Sequence, residues 1–382
     1  MDAIDKIRPG YNQIGGQQGS TPHEHLAWLG PVRMLVITLI AFGYASTMPR
    51  GASEAEYLNI LGYDPSWIGI SVLFMMSGFM ALRSLQKHGS IVKFLTSRMG
   101  RNLPTLILSA LLIICVVFPV FGAPLGTEAT RGSQHFQYFL KVVTCVDPDV
   151  LTPGLLDNAL YKNVIQGGLW TFRWGMIAFF ATALLWGLGG MKNKWILLGL
   201  SVAILLAYMG IMFYISNVNA LENPALENPA LENPSVSPLI KFTATGLRLG
   251  WAYMAGMSAY AFRKILRPSL LTVALIAVGF LIVSIVSFLL SWASFVEIII
   301  DSAFGYMVYG AVCSTKKLPH ILKALPDLSL GLYVFNWPMA QLTLLMLPTL
   351  SPLGLFAISF PLTVLIAYIS WAALSRPINA RL

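Results

Sequence analysis

The 382-residue chain is 56% hydrophobic, only 11% charged, and carries a net charge of +9. Its mean hydropathy of +0.70 excludes an ordinary soluble domain, which has about 25% charged residues and cannot bury most of a chain of this length. The bilayer must be the solvent for much of it.

Residues 1–29 are polar, with Gly15, Gly16 and Gly19 and no apolar stretch. They are expected to form a cytoplasmic tail, not a cleaved signal peptide. Ten windows are then apolar enough to span a bilayer: 31–48, 67–84, 105–122, 168–188, 195–215, 239–261, 268–288, 294–312, 328–347 and 353–374. Trp67, Trp195, Trp337 and Trp371 stand at window ends, where interfacial anchors belong. The predicted fold is therefore all-α, a polytopic membrane bundle of about ten helices. Residues 30–376 form its transmembrane domain, and 377–382 are a cytoplasmic end.

Orientation follows from lysine and arginine. With both termini inside, every inner segment is basic. Of the 25 basic residues, the outer segments hold only Arg50, Arg131, Lys141 and Lys162, and Arg173, Lys241 and Arg248 fall within spans. The outer segments hold ten of the 16 acids. A basic inner face suits anionic lipid, so the net charge calls for no nucleic acid. Cys115, Cys145 and Cys313 have neither metal nor disulfide spacing, and no metal is expected.

Two outer loops are long. Within 123–167, residues His135 to Val143 read as a short amphipathic helix on the membrane surface. Within 216–238, Ala-Leu-Glu-Asn-Pro occurs three times between residues 220 and 234. Proline every fifth residue prevents a regular helix, so this repeat reads as an acidic linker. No inverted hydropathy repeat marks a secondary transporter.

Charges inside spans are candidate functional groups. Glu297 and Asp301, four residues apart, share one helix face. Arg248 at mid-depth either pairs with them to lock the bundle or opens a polar cavity. Arg98 and Arg101, in the inner loop after the second span, stand i, i+3 and project together from a helix end. Paired guanidinium groups suit phosphate; such a pair also serves as a positive-inside anchor.

Met76-Ser77-Gly78-Phe79-Met80, followed by Phe94-x-x-x-Arg98-x-x-Arg101-x-x-Pro104, resembles acyltransferase family 3, a family of membrane enzymes with ten core spans. Gly168-Leu169-Trp170-Thr171-Phe172 is similar to that family's Gly-Ser-Leu-Trp-Thr-Leu. Ser329-Leu330-Gly331-Leu332-Tyr333-Val334-Phe335-Asn336-Trp337-Pro338 is similar to its Ser-Tyr-Gly-Ile-Tyr-Leu-x-His-x-Pro. The resemblance covers residues 25–375. It implies transfer of an acyl group, commonly acetyl, from cytoplasmic acyl-CoA to an outer acceptor such as a polysaccharide or lipid-linked sugar, in a bacterial inner membrane.

The resemblance gives Arg98 and Arg101, with Ser77, a role in binding CoA, and raises Arg33 at the inner end of the first span. It also exposes three departures. The family's catalytic histidine, eleven residues after that arginine, is Tyr44 here; its glutamate after the Leu-Trp-Thr-Leu motif is Gly175; its late histidine is Asn336. Tyrosine is a poor general base near neutral pH. The expected catalytic set is therefore Tyr44, Arg33, Asn336 and Asp301, the last as a substitute base, with Glu297 and His135 as the alternatives for that role. Three functions follow: an acyltransferase decorating an exopolysaccharide such as cellulose or another glucan, a catalytically silent partner of a polysaccharide synthase complex, or a transporter or flippase.

Overall fold

The computed structural model describes residues 26–49, 64–122, 128–149, 151–156, 161–222, 236–266, 293–314, 317–320, 322 and 325–379, together with 275, 278, 279 and 282. The expected span at 268–288 lies outside these residues but for four isolated positions. So do the tail before residue 26, the repeat beyond residue 222 and the last three residues.

The described residues are helical, without strands. Helix α1 covers Leu29–Thr47 and α2 Pro65–His88. Helix α3 runs Ile91–Phe121 through a π-helical turn at Ile113–Val117, and α4 covers Glu128–Thr144. Then come α5 (Trp170–Gly187), α6 (Lys194–Glu222), α7 (Pro238–Ala261) and α8 (Ala293–Val312). Helices α9 (Ser329–Met346) and α10 (Pro352–Ser370) complete the bundle. Helices α1, α2, α3, α5, α6 and α10 are each long and apolar enough to cross a membrane.

Two expectations change. The basic stretch 94–104 is the first part of α3, not a loop. Gly89 ends α2 in the left-handed region (φ 63°), and the Ser90 side chain accepts the Lys93 amide, so a new helix starts at once. Pro104 is accommodated inside it. Residues 135–143 lie in the longer helix α4, which packs against α3. Tyr138 and Val142 are buried there, and the Tyr138 hydroxyl donates to Gln166 Oε1 at 2.8 Å. Gln166 in turn bonds Ser109 of α3. Buried polar side chains need such partners, and these pin the loop to the bundle.

The core forms where α2 meets α7. A Cβ at Gly78 would collide with the carbonyl of Tyr253, and one at Gly256 with that of Met75. Two glycines thus let the backbones touch, the usual means of tight helix association in lipid. Gly256→Ala should therefore lower the thermal midpoint in detergent, at a cost of about 1–3 kcal/mol typical of overpacking. Gly199→Ala, where an added Cβ meets nothing within 4 Å, is the comparison and should not lower the midpoint, since alanine is the better helix former.

The interior charges form one cluster. Arg248 pairs with Glu297 and lies 3.7 Å from Asp301. Its Nη2 also donates to the Trp67 carbonyl at 3.0 Å, and its guanidinium stands 4.2 Å from the Trp67 ring centroid. The Tyr208 hydroxyl donates to Glu297 at 2.8 Å. One guanidinium thus ties α7 to α2 and α8, while Tyr208 adds α6. Of the two sequence readings, the structure has the lock.

Candidate functional site

Helices α1, α2, α3, α5, α7 and α9 enclose a cavity of about 150 Å³. Arg33, Ser77, Arg98 and Arg101 all line it, as do Thr171, Gly175, Ser329 and Tyr333. All four sequence motifs thus meet in one place, although the chain between the first and the last is about 250 residues long. No carboxylate lies within ion-pair distance of Arg98 or Arg101 among the described residues. The Arg98 guanidinium sits 5.7 Å from the Phe94 ring and 5.5 Å from the Phe179 ring. Aromatic faces hold a cation without neutralising it, so the cavity keeps an excess of positive charge and suits an anion.

Arg33 does have a partner: its Nη1 donates to Asp327 Oδ2 at 3.2 Å. Asp327 Oδ1 accepts the Ser329 amide at 3.2 Å, at the start of α9. Asp327 thus fastens α1 to the end of α9 that lines the cavity. The sequence reading passed over it. Its signal was that, beyond the tail, it is the one acid in the segments expected inside.

Burial opposes ionisation of Asp327. Arg33, the Ser329 hydrogen bonds and Arg101 together hold its carboxyl below the usual carboxylate range. A carboxylate whose folded value lies below its unfolded value, about 3.9, stabilises the fold above that unfolded value. The contribution vanishes as pH falls through the lowered folded value. Asp327→Asn should therefore lower the thermal midpoint slightly at neutral pH and converge with wild type well below about pH 4, so that the acid limb is flatter by that same small amount. The small neutral effect reflects a side chain that is 47% exposed.

The structure distributes the expected catalytic residues unevenly. Tyr44 points into the bundle and is buried. Its ring meets Trp337 edge-on at 4.9 Å. Its hydroxyl lies against Tyr333 and Trp170 without a well-formed hydrogen bond. Tyr44 does not line the cavity; Tyr333 does. The Tyr333 hydroxyl donates to the Gly168 carbonyl at 3.2 Å and lies 2.6 Å from the Thr171 hydroxyl. Asn336 is buried, outside the cavity wall, with neither amide atom bonded. Asp301 belongs to the Arg248 cluster, on a helix that takes no part in the described wall. Gly175 does line the cavity, and a Cβ there would meet nothing within 4 Å, so the position of the family's glutamate is open space. Sequence reasoning missed Tyr333 and Thr171 as a pair, since each stood only as a motif letter.

Residues 28–372 match the acyltransferase-3 family, described as an acyltransferase domain. The chain belongs to acyltransferase family 3. It is a membrane protein, and the domain is that of an acyltransferase. No curated protein and no solved structure matches the chain. In this acyltransferase the motif residues form a positively charged cavity floored by hydroxyl groups. Such a site can hold an anionic donor and present hydrogen-bond donors to a carbonyl oxygen.

A second set of contacts ties the segment before α5 to the bundle. Arg173 donates to the Val146 carbonyl at 2.8 Å and pairs with Asp147 and Asp149 at 2.8 and 3.2 Å. Lys141 joins the same Asp147 at 3.0 Å. Trp337 Nε1 donates to the Val164 carbonyl at 3.1 Å. Arg173 is therefore a clamp on the loop before α5.

Proposed function

We propose that this acyltransferase moves an acyl group from cytoplasmic acyl-CoA to a hydroxyl of a cell-surface or secreted polysaccharide such as a glucan. The observation that carries the reading is the meeting of Arg33, Arg98, Arg101 and the Thr171–Tyr333 hydroxyl pair in one cavity. The frame proposed with it has ten spans and both termini in the cytoplasm of a cell bounded by an inner membrane. Its support is the basic balance of the segments assigned inside.

In this reading Arg98 and Arg101 hold the phosphates of CoA, with Ser77 beside them. The thioester carbonyl comes to rest near Tyr333. As the acceptor hydroxyl adds to that carbon, the Tyr333 hydroxyl turns from Gly168 to the oxygen gaining charge, an oxyanion-type contact. Tyr44 supports Tyr333 from behind. A carbon–oxygen ester bond forms, the carbon–sulfur bond breaks, and the proton of the acceptor hydroxyl ends on the CoA sulfur. The described cavity wall offers no imidazole or carboxylate to carry that proton. A general base is worth about 10²–10⁴-fold in rate, so a slow enzyme is expected.

The second reading, a catalytically silent partner of a polysaccharide synthesis complex, draws on Tyr44, Gly175 and Asn336 at three family positions. One experiment separates the two. Purified protein given radiolabelled acetyl-CoA and an oligosaccharide acceptor should bind the donor and form labelled ester. Binding without ester favours the silent partner, and absence of binding removes the donor assignment.

A further inference from the structure

A second cavity, of about 180 Å³, lies between α2, α7 and α8. Its described wall carries no charged side chain. Two of its hydroxyls are already committed: Ser302 donates to the Ile298 carbonyl at 2.6 Å, and Tyr309 to the Leu266 carbonyl at 2.8 Å. Tyr306 brings the third hydroxyl; a wall otherwise apolar favours hydrocarbon over water. Met76 belongs to the walls of both cavities. A methionine is the partition most easily swung aside, since its unbranched thioether adapts to a changed neighbour.

A guanidinium-lined space beside a mostly apolar one, with a movable wall between them, is complementary to a molecule with an anionic head and a hydrocarbon tail. We infer that the second cavity is a chamber for the alkyl chain of the acyl donor, and that this acyltransferase takes medium-length acyl groups in preference to acetyl. The inference rests on the donor reading above. The head stays on Arg98 and Arg101, and the chain passes Met76 into the space between α2, α7 and α8. Ala255 and Ala259, one turn apart on α7, form part of its wall, so their size sets how much chain fits.

The test uses the purified full-length protein with acetyl-CoA, octanoyl-CoA and unacylated CoA as probes. Each buried methylene multiplies affinity about fourfold, so octanoyl-CoA should bind at least about tenfold more tightly than acetyl-CoA. Ala259→Leu, and separately Ala255→Leu, should bring that ratio close to one. A readout in the unaltered protein guards against misfolded variants. Octanoyl-CoA brominated at its terminal carbon should quench the fluorescence of Trp251, which lines the chamber, and the quenching should be lost in Trp251→Phe. Equal binding of the two thioesters in wild type and variants, without Trp251 quenching, overturns the chamber and leaves the donor reading standing. If no CoA compound binds, the donor reading falls and takes the chamber's occupant with it. Phospholipid that copurifies and resists displacement by octanoyl-CoA assigns the space to a membrane lipid and also overturns the inference.

Discussion

With the donor and acceptor proposed above, replacing Arg98 and Arg101 together by alanine should weaken acyl-CoA binding by about 10²–10⁴-fold and remove acyl esters from the polymer. A hydrogen bond to a charged group contributes about 1.5–3 kcal/mol, and two such losses give that range. Both side chains line the cavity, and no described carboxylate forms an ion pair with either. Lysine at each site separates charge from shape. Arg101→Lys keeps the charge and should cost little more than tenfold. Arg98→Lys should cost more, because the planar guanidinium lies between Phe94 and Phe179 and an ammonium replaces it poorly. Titration of each purified variant with acetyl-CoA reads these differences. A double variant that binds the donor like wild type would show that the phosphates sit elsewhere.

The second large effect is on stability. Arg248→Met should destabilise the protein by about 3–5 kcal/mol, because it strands two buried carboxylates. Glu297 and Asp301 are 8% and 1% exposed, so neither can turn to water. The substitution also removes the bond to the Trp67 carbonyl and the contact with its ring. The triple replacement Arg248→Met, Glu297→Gln, Asp301→Asn should recover most of the loss, since it leaves no unpaired charge. Thermal unfolding in one detergent, followed by tryptophan fluorescence, makes the comparison. If the single and triple variants melt alike, the cluster is not a charge lock.

The helices were legible in the sequence because crossing a bilayer demands long apolar runs. Nine of the ten expected windows coincide with helices among the described residues. The Arg248 cluster was legible for a related reason: charge in an apolar solvent must find its opposite, and Glu297 and Asp301 were the available acids at that depth. The beginning of α3 was hidden, because Arg98, Arg101 and Asn102 look like a loop until the cap at Ser90 is taken into account. The Arg33–Asp327 and Thr171–Tyr333 contacts join residues 294 and 162 positions apart. No local pattern encodes such pairs; packing does. Tyr44 shows the limit from the other side. The motif register directed attention to it, yet the chain places Tyr333 between it and the cavity.

The Arg248 lock has a consequence for how the protein is made. Helix α7 carries both Lys241 and Arg248 and is not among the helices apolar enough to enter a membrane on composition alone. A central arginine costs about 2.5–3.5 kcal/mol on insertion. Its counter-charges lie on α8, which begins at Ala293, roughly 30 residues after α7 ends and so a few seconds later at about 5–20 residues per second. During that interval α7 has its neighbours α2 and α6, but Arg248 has no counter-charge. The order of the chain thus leaves Arg248 without its two carboxylates until α8 has been made.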